Sequence, residues 1–245
     1  MIKISVGGLN IRLNNKYPFI EEFAKDYITD SDSTDFMVEA DDFEIDLEAK
    51  QAPPGAPRGY LESIVLYRAI AEEIPNYSAF VFHGAVIVKE GKAYAVTARS
   101  GVGKTTHLRL WLDTFGDDVH ILNGDKPILR MIDGRVYACA TPWRGKEGYG
   151  VPEMLPLCGI GFLERGETNT AEKISVGEAL MRFVSQIYVP KGRSCASMAL
   201  NLADKVLSSV PLYKLSVNME REAAIVACNA FCACNDKVKS DVCSE

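Results

Sequence analysis

Ala93-Tyr94-Ala95-Val96-Thr97-Ala98-Arg99-Ser100-Gly101-Val102-Gly103-Lys104-Thr105-Thr106 is the stretch from which the rest of the chain can be read. It opens as an apolar strand (93–97) and closes as the start of a helix (104–112), with a glycine-rich turn between them. The pattern G-x-x-x-x-G-K-[ST] is met everywhere except at its first glycine, where Ala98 stands. Gly101 and Gly103 allow a tight turn whose successive N–H groups converge on an anion. The helix N-terminus adds partial positive charge. Lys104 supplies a mobile full charge for β- and γ-phosphates, and the Thr105 hydroxyl is placed to ligate Mg²⁺. Ser100, Gly101, Val102, Gly103, Lys104, Thr105 and Thr106 are therefore the expected nucleotide-binding residues. An alanine at position 98 is tolerable if its φ is negative.

Such a loop needs an acidic partner, usually at the end of a neighbouring strand. The strand expected over 119–122 is followed by Asn123-Gly124-Asp125-Lys126-Pro127. Asp125 is the natural candidate for holding Mg²⁺ with Thr105. The plain alternative is a turn residue in an Asn-Gly-Asp loop.

Outward from this centre the pattern is α/β. A β-hairpin is expected from 2–6 and 9–13 around Gly7-Gly8, and short strands over 36–38 and 43–47. Residues 51–59 hold three prolines and two glycines and break the chain. An amphipathic helix follows over 60–73. Strands are expected over 80–88, 128–131, 136–139, 157–163 and 212–217, and helices over 176–187, 194–207 and 220–231. Several neighbouring strands read as antiparallel, unlike a strictly alternating βαβ series. The division that follows is a β-rich portion (1–52), a main domain (60–232) and a tail (233–245).

Composition excludes several classes. With 47% hydrophobic and 24% charged residues over 245 positions, the chain can bury a full core and is neither disordered nor fibrous. No run reaches the roughly 18 apolar residues of a membrane span. The start lacks a basic region followed by a long apolar core. The expectation is a cytoplasmic protein with no membrane partner. The net charge of −6 is uneven: residues 21–48 hold 12 acidic side chains against Lys25, leaving a mildly basic remainder of +5. That remainder suits a phosphate-bearing ligand but is too weak for nucleic acid. The acidic stretch reads as an exposed face or loop. The seven cysteines are expected as thiols. Cys228 and Cys232 would share a helix face as small hydrophobes rather than bind metal.

Further segments carry a family resemblance: Phe82-His83-Gly84-Ala85, the loop 100–106, His107 with Leu110-Trp111, Leu122-Asn123-Gly124-Asp125-Lys126-Pro127, Thr141-Pro142-Trp143-Arg144-Gly145-Lys146-Glu147 and Leu163-Glu164-Arg165-Gly166. Together they resemble the P-loop group of HPr kinase/phosphorylases and phosphoenolpyruvate carboxykinase-like proteins, in particular its stand-alone bacterial members. The resemblance spans roughly 60–231. It implies a mixed sheet flanked by helices, ATP and Mg²⁺ as cofactors, and phosphoryl transfer to a hydroxyl of a protein, peptide or small molecule. It implies a role for His83 near the phosphates and a contact of Arg144 or Lys146 with phosphate. Catalytic candidates are thus Asp125, His83, Arg144 and Lys146. In the family two adjacent aspartates follow this strand; here the pair is Gly124-Asp125, which puts the reversible chemistry in doubt. A non-catalytic nucleotide-binding regulator of a peptide-modification pathway is the alternative. Family members assemble as hexamers, so a homo-oligomer is allowed, though no residue here fixes it. Without the family, a histidine such as His83 on an apolar strand is more often a hydrogen-bonded core histidine. His107 reads as packing or adenine-side structure as readily as catalysis, Trp111 and Trp143 as core or pocket wall, and Arg68 as a surface or salt-bridge residue.

Overall fold

The computed structural model describes residues 1–99 and 101–242. It is a mixed α/β protein with a three-stranded sheet and a larger curled mixed sheet. Strands β1 (Ile2–Val6) and β2 (Leu9–Asn14) form the expected hairpin, paired antiparallel from Ile2↔Leu13 to Val6↔Leu9. Their alternation buries Ile4, Val6, Leu9, Ile11 and Leu13. Helix α1 (Phe19–Phe23) follows, then β3 (Phe36–Glu39), parallel to β2.

The strand expected over 43–47 is instead part of helix α2 (Asp42–Ala49). Asp41 caps it, its carboxylate accepting from Glu44 N at 2.7 Å, and acidic residues in the first turn suit a helix N-terminus. Phe43, Ile45 and Leu47 mimic strand alternation, yet of these three Ile45 alone is buried. The acidic stretch is therefore α1, β3 and α2 with their connections, and Glu48 within it is buried.

Helix α3 (Arg58–Glu73) begins inside the Pro/Gly segment. Its Glu62 is fully buried and accepts from the backbone N–H groups of Lys16 (2.6 Å) and Tyr17 (3.1 Å). This fastens the N-terminal chain to α3. Ile4, Ile11, Leu13, Ile20 and Ile45 share one continuous core with α3 and the large sheet.

The apolar run 80–88 is two strands, β4 (Ala79–Val81) and β5 (Ala85–Lys89). Between them the chain turns at Gly84, where a β-carbon would lie 2.2 Å from the Phe82 ring. The correction matters because His83 sits at this turn and not inside a strand. Strand β6 (Lys92–Thr97), helix α4 (Lys104–Phe115), β7 (Val119–Asn123), β8 (Ile128–Ile132) and β9 (Arg135–Cys139) follow. Then come β10 (Met154–Arg165), β11 (Thr170–Lys173), α5 (Val176–Val184), α6 (Arg193–Ser209), β12 (Leu212–Val217) and α7 (Glu222–Val242). Helix α5 stops three residues short of its expected end. Helix α7 continues past Phe231 through most of the expected tail; residues 243–245, with Cys243, lie outside the described residues.

The large sheet runs β4-β8-β9-β10-β6-β5-β7, with β12 joining β10 to β11. Strand β10 carries the curl. Its start pairs antiparallel with β9 at Met154–Pro156, while its later part pairs parallel with β12 and, on the other edge, with β6. The register breaks between Leu157 and Gly159. A second core, including Trp111, Tyr94, Cys228 and Phe231, lies beneath α4 and α7. Cys228 and Cys232 share a helix face as expected, Sγ to Sγ 3.9 Å, and burial pushes the Cys228 thiol up to about 12. Among the described residues no helix is long and apolar enough to cross a membrane.

Candidate functional site

Strand β6 delivers the loop and α4 receives it. Gly101 has φ of 79° and Gly103 of 122°, conformations an L side chain resists. Gly103 is the helix N-cap and offers no side-chain hydrogen bond, so the first N–H groups of α4 have no capping side chain. Among the described residues the non-glycines with positive φ are Ser78, Glu90 and Asp133; Ala98 is not one of them, which meets the condition for an alanine there. Val102 packs toward the core under α4, Thr106 is the third residue of that helix, and Ser100 lies outside the described residues. Arg165, at the end of β10, donates to the Gly101 carbonyl at 2.6 Å. The parallel register explains this: Phe162 stands beside Thr97, so β10 runs three residues further, alongside the loop.

Asp125 is held by a buried network. Asn123, fully buried at the end of β7, accepts at Oδ1 from Asp125 N (2.9 Å) and Lys126 N (2.8 Å). Its Nδ2 donates to the Thr141 carbonyl (3.0 Å) and hydroxyl (3.1 Å), and that hydroxyl donates to the Lys126 carbonyl at 2.7 Å. Gly84 N donates to the Asp125 carbonyl at 3.1 Å. The strand break at Gly84 thereby brings His83 to Asp125.

Three cationic or ionisable groups surround the carboxylate. Asp125 Oδ1 lies 3.3 Å from His83 Nε2 and 3.5 Å from Lys104 Nζ, and Oδ2 lies 2.9 Å from Lys126 Nζ. Burial alone would raise this carboxyl, but His83, Lys126 and Lys104 outweigh it and hold it well below the usual carboxylate range. Burial lowers the Lys104 ammonium, which Asp125 only partly offsets. Among the described residues Lys104 Nζ is buried with no hydrogen-bond acceptor; Asp125 at 3.5 Å is at ion-pair distance only.

Gly124, where the family resemblance expects a second carboxylate, is closed to any side chain. A β-carbon there would lie 2.8 Å from the Arg144 carbonyl and 3.3 Å from that of Tyr149. The segment after Thr141 folds over the Asp125 loop, with Gly124 N donating to Tyr149 O at 3.0 Å.

His83, Lys104, Thr105, Asp125, Arg144 and Lys146 line one cleft of about 890 Å³ with Gly101 and Gly103. Arg144 is tied elsewhere: its Nη2 donates to Asp26 Oδ2 at 2.7 Å and its guanidinium lies over the Tyr27 ring at 5.4 Å. Lys146 is exposed at the cleft edge. His107 is buried behind the site; its Nε2 accepts from Trp111 Nε1 at 3.0 Å, and burial pulls its pKa down to about 4. That supports packing.

Sequence reasoning gives no role at the site to four residues, Lys126, Arg165, Tyr67 and Arg68. Lys126 stands within a segment that carries the resemblance, and its adjacency to Asp125 is the sequence signal for it. Arg165 follows from strand register. Tyr67 is half-buried, and desolvation together with the Asp125 charge raises its hydroxyl. Arg68 pairs with Glu48 and lines the cleft; the salt-bridge expectation holds, but its position at the site needed the tertiary contact.

No protein-family model matches the chain, and no curated protein matches it. Among solved structures it is similar to the Hpr(Ser) kinase/phosphatase from Coxiella burnetii, with a TM-score of 0.40 and 10% identity, over 67% of this chain and 98% of that one. The likeness is one of distant architecture.

Proposed function

We propose that this chain binds a magnesium nucleoside triphosphate, ATP by resemblance, on the 98–106 loop and acts as a phosphotransferase toward a hydroxyl of a protein, peptide or small molecule. The observation that carries the reading is the Lys104 ammonium, buried without an acceptor among the described residues, beside an uncapped helix N-terminus. An anionic ligand with several oxygens satisfies both features at once. Thr105 and Asp125, on the same cleft, are the residues that would hold the metal. When bound, the nucleotide supplies the phosphoryl group and Mg²⁺ supplies charge that stabilises its transfer.

The remaining roles belong to this chain's side chains. Asp125 is a carboxylate at neutral pH and a weak base, so it orients a hydroxyl by accepting its hydrogen bond. The proton passes to Asp125 as the phosphoryl group moves onto the hydroxyl oxygen, while His83 Nε2, 3.3 Å away, donates to the carboxylate and steadies it. Lys104 and Lys126 place positive charge around the reacting oxygens.

A second reading, a nucleotide-binding regulator without turnover, is favoured by two observations. Gly124 admits no second carboxylate, and Arg144 is occupied by Asp26. Incubation of the full chain with Mg²⁺ and γ-labelled ATP separates the readings. Phosphate release or labelled acceptor that is lost in both Lys104→Met and Asp125→Asn supports the phosphotransferase. Tight binding with no release in the presence of candidate acceptors supports the regulator.

A further inference from the structure

The cleft carries a second polar device on the wall formed by α2 and α3. The Glu48 side chain is only 10% exposed and pairs with Arg68 Nη1, whose own side chain keeps 47% exposure. Both residues line the cleft. Desolvating a carboxylate costs more than one half-exposed guanidinium returns, so this pair is a poor device for stability. What it does accomplish is orientation. Glu48 engages one edge of the guanidinium, and a guanidinium has five donors. Among the described residues Glu48 is the hydrogen-bond partner of this guanidinium, which leaves its other edge in the cleft lining to meet a planar oxyanion, the geometry that arginine forks match.

Beside this pair stands an aromatic wall. Tyr67 and Trp143 have ring centroids 5.3 Å apart, and Phe23 lies 6.1 Å from Trp143. Trp143 is pinned by its Nε1 donating to the Ser63 carbonyl at 3.1 Å. Tyr67, next to Arg68 in sequence, lies close enough to Asp125 for that charge to raise its hydroxyl. Phe23, Tyr67 and Trp143 line the same cleft as Asp125, Glu48 and Arg68.

We propose that Arg68, oriented by Glu48, anchors an anionic group of the phosphoryl acceptor, with Phe23, Tyr67 and Trp143 holding an apolar body. The acceptor class is then a hydroxyl compound carrying an oxyanion, carboxylate or phosphate, next to an apolar or aromatic group. This rests on the phosphotransferase reading, since it assigns the half of the cleft that the nucleotide leaves open.

Calorimetric titration of the full chain tests it with three probes of similar body: 3-phenyllactate, 2-phenylethyl phosphate and the uncharged 3-phenylpropane-1,2-diol. MgATP is titrated in parallel. The expected result is that at least one anion binds the wild type tenfold or more tightly than the diol, and which anion binds identifies the oxyanion. Arg68→Met erases that preference, Arg68→Lys retains part of it, and Glu48→Gln weakens it, all with MgATP affinity within about twofold of wild type. Equal binding of anions and diol, no binding of either anion, or anion binding that survives Arg68→Met overturns the inference. So does a tenfold loss of MgATP affinity in Arg68→Met, which would move the arginine to the donor side. Failure of the wild type to bind MgATP instead overturns the underlying reading, so the two failures are distinguishable.

Discussion

Lys104 Nζ and Asp125 Oδ1 face each other across 3.5 Å in the cleft, a buried ammonium beside a carboxylate that His83 and Lys126 also contact. The carboxylate has other partners; among the described residues the ammonium has no hydrogen-bond acceptor. An arrangement of this kind is poised for an anionic ligand and costs stability without one.

Lys104→Met should therefore abolish nucleotide binding without lowering the stability of the free protein. At about 100 times Kd, MgATP stabilises the wild type by roughly 2.7 kcal/mol, which for a chain of this size is a rise of about 5–10 °C in melting temperature. In Lys104→Met that rise should vanish, while the ligand-free melting temperature stays level or increases. A drop of several degrees in the free variant would show that Lys104 is a structural cation.

Gly124→Asp should supply on paper the second carboxylate that the sequence resemblance implies and damage the protein in fact. Its β-carbon would stand 2.8 Å from the Arg144 carbonyl, and overpacking of this kind costs about 1–3 kcal/mol. Urea unfolding should show the loss for Gly124→Ala as well, because the clash begins at the β-carbon. Unchanged midpoints would mean the 144–149 segment yields freely.

Asp125→Asn should cost stability that depends on pH in a defined direction. The folded carboxyl titrates well below its ordinary value of 3.8. Its contribution is thus present above about pH 4 and lost as pH falls through the folded value. The gap between wild type and Asp125→Asn should be full at pH 7 and narrow between pH 4 and pH 2. A gap that widens on acidification would contradict the cation cluster around Asp125.

His107 should make the fold acid-sensitive in a higher window. Its pKa falls from 6.5 to about 4 through burial, so between those values the unfolded chain binds more protons and stability drops as pH falls. At 1.36 kcal/mol per unit, the loss from pH 6.5 to 5 is about 2 kcal/mol. His107→Gln, whose amide oxygen can still accept from Trp111 Nε1, should flatten this part of the profile. Parallel slopes for both proteins in denaturant titrations would assign the acid sensitivity elsewhere.

Much of the site was legible in the chain because its parts are local. The strand-turn-helix around Gly101 and Gly103, the Asn-Gly-Asp turn and the helix bearing Arg68 all follow from short-range periodicity and turn chemistry. Where the apolar pattern misled, a competing local cap or a long-range pairing was the cause. Residues 43–47 alternate like a strand, but the Asp41 cap and the inward placement of Ile45 and Glu48 make a helix. The run 80–88 is apolar throughout, yet it splits at Gly84 because β4 pairs with β8 and β5 with β6 and β7.

By itself the sequence determined the strand, glycine turn and helix at 93–112 and the turn that carries Asp125, because apolar periodicity and glycine spacing act over a few residues. Only the tertiary structure decided that Gly124 has no room for a carboxylate, that Arg144 spends its charge on Asp26 from 118 residues away, and that Glu48 and Arg68 meet at the cleft. Those facts depend on which surfaces close on each other. Burial and ion pairing between distant segments are properties of the packed chain, and no local spacing encodes them.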